Sequence, residues 1–379
     1  MTRIFLAQNT LDAARDRISR IYDEFEQVVV NTSGGKDSTV VFNLALEEAE
    51  RRDRLPLDVM FIDQEAEWDS VIDYIKVQMY DPRVNPLWYQ MHMQIANSSS
   101  GEDDWLQCWD PENEQDWIRE KDPISIKENV FGTKTFGQIF PEFARVTYPG
   151  QRVAQLAGVR CEESPGRMQS LTSYATYKDI TWGKRYDTPG QYAFYPLYDW
   201  SYVDVWKAIH DHGWDYCRIY DLYWQYGLNP LRMRVSNVHH ETALHSLHHI
   251  QEFEPETWDR IVHRLQGVNS VNKAGETYRI PRELPFMFDS WEEYRDHLLV
   301  NLIVDPEKQA AFRKQFAAMK RQFPESFMET VIRAQISAIL VNDYHGTKLS
   351  TFSAANANKR INAGKRRTQK GDQKRGRSD

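Results

Sequence analysis

The stretch 28–49, VVVNTSGGKDSTVVFNLALEEA, decides the fold. Three β-branched residues, Val28 to Val30, stop at Asn31, and a Ser-Gly-Gly-Lys-Asp-Ser run follows. Beyond it, apolar residues return at helical spacing, so the stretch predicts a buried strand, a glycine turn and a helix over 37–52. Glycines let successive backbone N–H groups face one concavity, and the helix start adds a positive end. That is the chemistry of a polyphosphate cradle. It is not the common P-loop, GxxxxGK[ST], because position 30, where that pattern needs its first glycine, is valine.

Outward from this turn the rhythm repeats. Leu11, Ala14, Ile18, Ile21 and Tyr22 predict a helix over 10–25. A second strand is expected near Val59 to Ile62, a helix from Trp68 to about Met79, and a third strand over 86–93. Strand, helix, strand, helix, strand argues for a doubly wound, mostly parallel α/β sheet. The segment 95–148 is polar, acidic and rich in Trp, and is expected as an insertion, with Trp105, Trp109 and Trp117 pinning it down. The rhythm returns at QLAGVRCEESPGR, 155–167, a strand ending in charge, and at YAFYPLYDWSYVDVWKAI, 192–209, a strand, a cap at Ser201 and a helix. Residues 287–342 carry helical, amphipathic spacing.

Composition narrows the class. The chain has 379 residues, 41% hydrophobic and 27% charged, which suits one large domain with appendages or two domains. Its three cysteines, Cys108, Cys161 and Cys217, are too scattered for a disulfide framework. No apolar run approaches the roughly 20 residues of a membrane span, and the N-terminus lacks a signal peptide's apolar core, so a soluble, cytoplasmic protein is expected. The net charge of −8 is uneven: residues 359–379 hold nine Lys or Arg against two Asp, a surplus of +7, which leaves −15 for the rest. This basic tail is expected to be disordered until it meets a partner, nucleic-acid phosphates being one candidate and simple solvation the other.

Four stretches carry a family resemblance: SGGKDS at 33–38, GVRCEESPGR at 158–167, YPLYDWSYVDVWKAI at 195–209, and a set comprising QCWDPENEQDWIRE, NPLRMRVSN and EPETWDRIVHRLQGVNS. The first resembles the PP-loop of the ATP pyrophosphatases. The second and third resemble the branch holding phosphoadenosine-phosphosulfate (PAPS) reductase and the sulfate adenylyltransferase small subunit. The last set resembles a narrower PAPS reductase-like group that includes a co-activator of prophage gene expression. The resemblance covers about residues 10–275 and implies an adenine nucleotide alpha-hydrolase-like fold. On that basis 1–275 is expected as a nucleotide-binding domain, 276–348 as a helical C-terminal region and 349–379 as the tail.

The resemblance also implies a function linked to sulfur metabolism or to phage or prophage biology. ATP with Mg²⁺ would be cleaved between its α and β phosphates and an acceptor adenylated. The alternatives are a PAPS reductase or sulfotransferase, and a nucleotide-binding co-activator working with a ParB-like partner. Lys36, Asp37, Arg160 and Arg167 are the implied catalytic residues. Ser33, Gly34, Gly35, Lys36, Asp37, Ser38, Asp63, Gly158, Arg160, Glu162 and Glu163 are expected around the nucleotide, ATP or PAPS. Asp37 is the candidate Mg²⁺ ligand. His245 and His249, spaced i, i+4, are a candidate zinc pair. The family's C-terminal Glu-Cys-Gly motif is missing, since no Cys follows Cys217. A thiol-based reductase therefore lacks its obvious nucleophile, and Cys161 is a weak substitute.

Overall fold

The valine run forms the middle of strand β1 (Gln27–Asn31), with Val29 and Val30 wholly buried. A computed structural model describes residues 6–97, 105–164, 167–169, 171, 176–186, 188–230, 233–235, 251–265, 268, 283–340, 343, 346, 349 and 352. The chain divides into two compact units, the first running through Asn97 and from Trp105 to Leu265, the second built on the residues after Leu265.

In the first unit, helix α1 (Thr10–Glu24) begins at Asn9, whose side chain accepts the Asp12 N–H at 2.8 Å. After β1 come α2 (Lys36–Arg51), β2 (Leu57–Ile62), α3 (Asp69–Met79) and β3 (Val84–Tyr89). A small antiparallel pair, β4 (Met93–Ala96) and β5 (Trp105–Cys108), stands apart from the main sheet. Helix α4 (Phe136–Thr147) then leads into β6 (Val153–Ala157). Strands β7 (Thr176–Tyr177), β8 (Ile180–Arg185) and β9 (Gln191–Phe194) follow, then α5 (Tyr202–His212), α6 (Ile219–Gln225) and α7 (Pro255–Arg264).

The main sheet has the order β3-β2-β1-β6-β9-β8-β7. The first five strands are parallel and the last two pairings, β9–β8 and β8–β7, are antiparallel, so the doubly wound, mostly parallel expectation holds. Burial on both faces explains why β1 and β2 read as continuous apolar runs instead of alternating ones. One local expectation needs correction, and one hairpin was not expected at all. The strand read over 86–93 stops at Tyr89, because Gln90 donates its N–H to Ile126 of the insertion at 3.0 Å, and pairing resumes only at Met93. The hairpin β7–β8 went unread. Its turn, Lys178-Asp179, takes positive φ at both positions, the geometry that usually advertises itself with Asn-Gly.

The second unit is helical, as expected: α8 (Trp291–Leu302), α9 (Pro306–Gln322) and α10 (Met328–Leu340). Ser290 and Asp305 cap the first two, and Pro306 sits at the first helical position of α9. Leu299, Phe312, Phe316, Met319, Val331 and Ile339 form their shared core. Among the described residues no helix is long and apolar enough to cross a membrane.

Candidate functional site

Strand β1 is followed on one side by β2 and β3, while β6 lies on its other side. The strand order thus reverses between β1 and β6, and the carboxyl ends of strands at such a switch point are where open α/β sheets bind ligands. The glycine turn and the Gly158–Glu163 segment are the loops that leave those two ends.

Gly34 has φ +68°, and a Cβ there would lie 2.9 Å from Val71 Cγ1 on α3, so conformation and space both demand glycine. Gly35 caps α2 without a side-chain hydrogen bond. The serines brace the turn. Ser38 Oγ donates to the Gly35 carbonyl at 2.8 Å, accepts the Ser33 N–H at 3.3 Å and stands 3.2 Å from Ser33 Oγ. Gly158 ends the second loop's approach: a Cβ there would lie 2.5 Å from the Asp37 carbonyl carbon, so this backbone crosses directly on the first turn of α2.

That crossing delivers Arg160, which is 4% exposed. Its Nε donates to Asp37 Oδ1 at 2.5 Å, and its Nη1 to Glu162 Oε2 at 3.1 Å. Glu162 also accepts the Tyr202 N–H at 2.6 Å, which ties Arg160 to the start of α5. The Arg160 N–H donates to Glu163 Oε1 at 3.2 Å. Burial, then the neighbouring Asp37 charge, pushes the Glu163 carboxyl up, opposed by Arg167 and Arg160. Arg167 lies at the rim, more than half exposed, its Nε 3.6 Å from Glu163 Oε2.

Lys36 is buried. Its Nζ donates to the Met233 carbonyl at 3.2 Å and stands 3.3 Å from Asp37 Oδ2, with the Tyr220 ring centroid at 5.3 Å. Its backbone N–H donates to the Tyr220 hydroxyl at 3.0 Å. The structure thus brings together Ser33, Gly34, Gly35, Lys36, Asp37, Ser38, Gly158, Arg160, Glu162 and Glu163, with Arg167 at the edge. Each Asp37 carboxylate oxygen already faces a cation.

Asp63 has a different setting. It follows β2, is fully buried, and accepts from Arg119 at 2.5 Å, Trp88 Nε1 at 3.1 Å, Gln90 Nε2 at 2.9 Å and the Glu65 N–H at 2.9 Å. Beside it Glu65, at φ +65°, pairs with Arg264 at 2.6 Å and accepts the Trp109 N–H at 2.6 Å. Trp109 Nε1 donates to the Asp63 carbonyl at 2.8 Å, and the ring meets Trp117 edge-on. This buried ionic cluster fastens the insertion to the end of β2. Arg119, Arg264 and Met233 lie within stretches that carry the family resemblance, yet none of the three was assigned a role from the sequence, and Glu65 and Tyr220 lie in none of those stretches.

Among the described residues no three His, Cys, Asp or Glu side chains are grouped to hold a metal ion. His245, His249 and the tail 359–379 lie outside the described residues. Burial pushes all three thiols up, Cys217 to about 12, and at Cys161 the charges of Asp199 and Glu163 add to it.

Comparison with known proteins adds the following. The family model described as phosphoadenosine phosphosulfate reductase domain matches residues 27–225, just over half of the chain. A domain of unknown function (DUF3440) matches residues 227–361. The uncharacterized protein YbdN of Escherichia coli strain K12 is 28% identical over 323 residues, covering 81% of this chain and 78% of that protein. Candida glabrata FMN adenylyltransferase in complex with FMN and the ATP analog AMPCPP superposes with TM-score 0.38 and 14% identity over 62% of this chain and 66% of that one. For the same enzyme alone the TM-score is 0.36, with 57% of its length covered. The chain thus spans less than two thirds of that enzyme. For the Candida auris PAPS reductase in its phosphate complex the TM-score is 0.29, at 12% identity over 58% of this chain and 94% of that one.

Proposed function

The chain belongs to the phosphoadenosine phosphosulfate reductase domain family, and from that premise we propose that its glycine turn holds the polyphosphate of ATP and releases pyrophosphate while the adenylyl group passes to an acceptor. One observation carries this reading: Lys36, Asp37 and Arg160 meet where the loops after β1 and β6 cross. An oxyanion against the first turn of α2 would meet a helix's positive end, an ammonium and a guanidinium. Gly34 and Gly158 let the two loops pack this closely, since a side chain on either would collide with Val71 or with the first turn of α2.

In this reading an acceptor oxygen attacks the α-phosphorus. One P–O bond forms, the bond to the bridging oxygen breaks, and its electron pair leaves with pyrophosphate. Lys36 and the α2 amides are placed to stabilise that charge. Mg²⁺, when bound, would neutralise phosphate oxygens. With both Asp37 oxygens turned to cations, the ion would rest on phosphates and water more than on the protein. Glu162 holds Arg160 in place from the start of α5.

A thiol attack on PAPS finds less support. Thiolate is the reactive form, and burial disfavours it at Cys108, Cys161 and Cys217 alike. The proposal extends to a cytoplasmic setting; a ParB-like protein partner, and nucleic-acid phosphates as the target of the basic tail, belong to the alternative reading of a nucleotide-binding co-activator.

The test is product analysis with ATP, Mg²⁺ and trace sulfate. AMP or an adenylylated product is expected with pyrophosphate, and both should vanish in Lys36→Met. ADP with phosphate would refute the reading.

A further inference from the structure

The contacts of Tyr220 have no role in the scheme above, yet they fall on its centre. The first helical N–H of α2 belongs to Lys36, and it donates to the Tyr220 hydroxyl at 3.0 Å. That hydroxyl lies 3.5 Å from where a Cβ on Gly35 would stand, so it sits inside the turn. A backbone N–H is a single donor and serves one strong acceptor at a time. A phosphate oxygen and the tyrosine hydroxyl therefore compete for it. The Lys36 ammonium differs, because three donors allow it to keep Met233 and Asp37 and still reach a phosphate.

We propose that Tyr220 is a gatekeeping residue of the phosphate cradle, its hydroxyl standing in for a phosphate oxygen until a polyphosphate displaces it and α6 shifts outward. The proposal rests on reading the glycine turn as a phosphate site. Helix α6 is the element that has to move. It is a seven-residue helix with Ile219, Tyr220 and Tyr223 buried, while Trp224, at 66% exposure, faces solvent. Just beyond it Gly227 has φ +82° with open space around it, a place where the chain can turn.

The test uses the full chain, with inorganic pyrophosphate and MgATP as probes in titration calorimetry. Tyr220→Phe keeps the buried ring and removes the competing oxygen. It should bind pyrophosphate about three- to tenfold more tightly than the parent, the factor one ordinary hydrogen bond supplies. Equal or weaker binding by the variant, with the parent binding normally, overturns the gate and leaves the phosphate reading standing. Binding by neither protein overturns both. Hydrogen exchange on the unaltered protein gives a second readout that does not depend on the variant folding. Pyrophosphate should speed exchange across 219–225, and slower or unchanged exchange there overturns the proposal.

Discussion

Arg160 shows how much one side chain holds at this site. It is almost wholly buried and joins Asp37 on α2 to Glu162 at the foot of α5. Removing it takes the cation from Asp37 Oδ1 and from Glu162 in a poor solvent, while Asp37 Oδ2 keeps Lys36. Arg160→Met should lower the unfolding free energy by about 3–5 kcal/mol in denaturant titrations. Adding Asp37→Asn should recover part of that loss. Glu67 makes a second prediction at this scale. Burial, then the Asp63 charge, raises its carboxyl to about 8, with Arg119 opposing. A folded-state value above the ordinary 4.5 means the fold favours the protonated form. Glu67's contribution to stability is therefore full below pH 4.5 and is lost as pH rises through 8. Glu67→Gln should match the parent near pH 4.5 and exceed it near pH 8 by on the order of a few kcal/mol, read from melting curves across pH.

Among the elements, the close crossing of the β6 loop on α2 decides the site's shape. Gly158→Ala would drive a methyl into the backbone of Asp37 and Ser38. Neither backbone atom can swing aside, so a loss of about 1–3 kcal/mol is expected, along with weaker nucleotide binding. Gly137 is the contrast. It lies in the first turn of α4, and a Cβ there meets nothing within 4 Å. Gly137→Ala should be neutral or stabilising by about 0.5–1 kcal/mol in the same melting experiment. The sequence singled out Gly158 through its motif, but only the neighbours in space show why a side chain is excluded there and tolerated at Gly137. The same holds for Asp63. Its place after a parallel strand was legible, but the long-range partners that occupy its carboxylate, Arg119 among them, lie 25 to 56 residues away.

At the scale of the whole molecule, each compact unit has its own core. In the second, Phe312 is 1% exposed among Leu299, Phe316 and Met319. Phe312→Ala should cost about 3–5 kcal/mol, seen as an earlier loss of helical circular dichroism. The sequence by itself determined the parallel core of the first unit and the strand–glycine turn–helix at 27–51. Those features rest on local period, β-branching, capping and glycine conformation, which neighbouring residues dictate. It also determined the helical character of 287–340 through amphipathic spacing. Only the tertiary structure decided that Arg160 neutralises Asp37, that Arg119, Arg264 and Trp109 seal the end of β2, and that Tyr220 reaches into the glycine turn. Each of these joins residues 44 to 199 positions apart. Partners so far apart leave no period in the chain, and they meet only because the sheet order carries their loops to one edge.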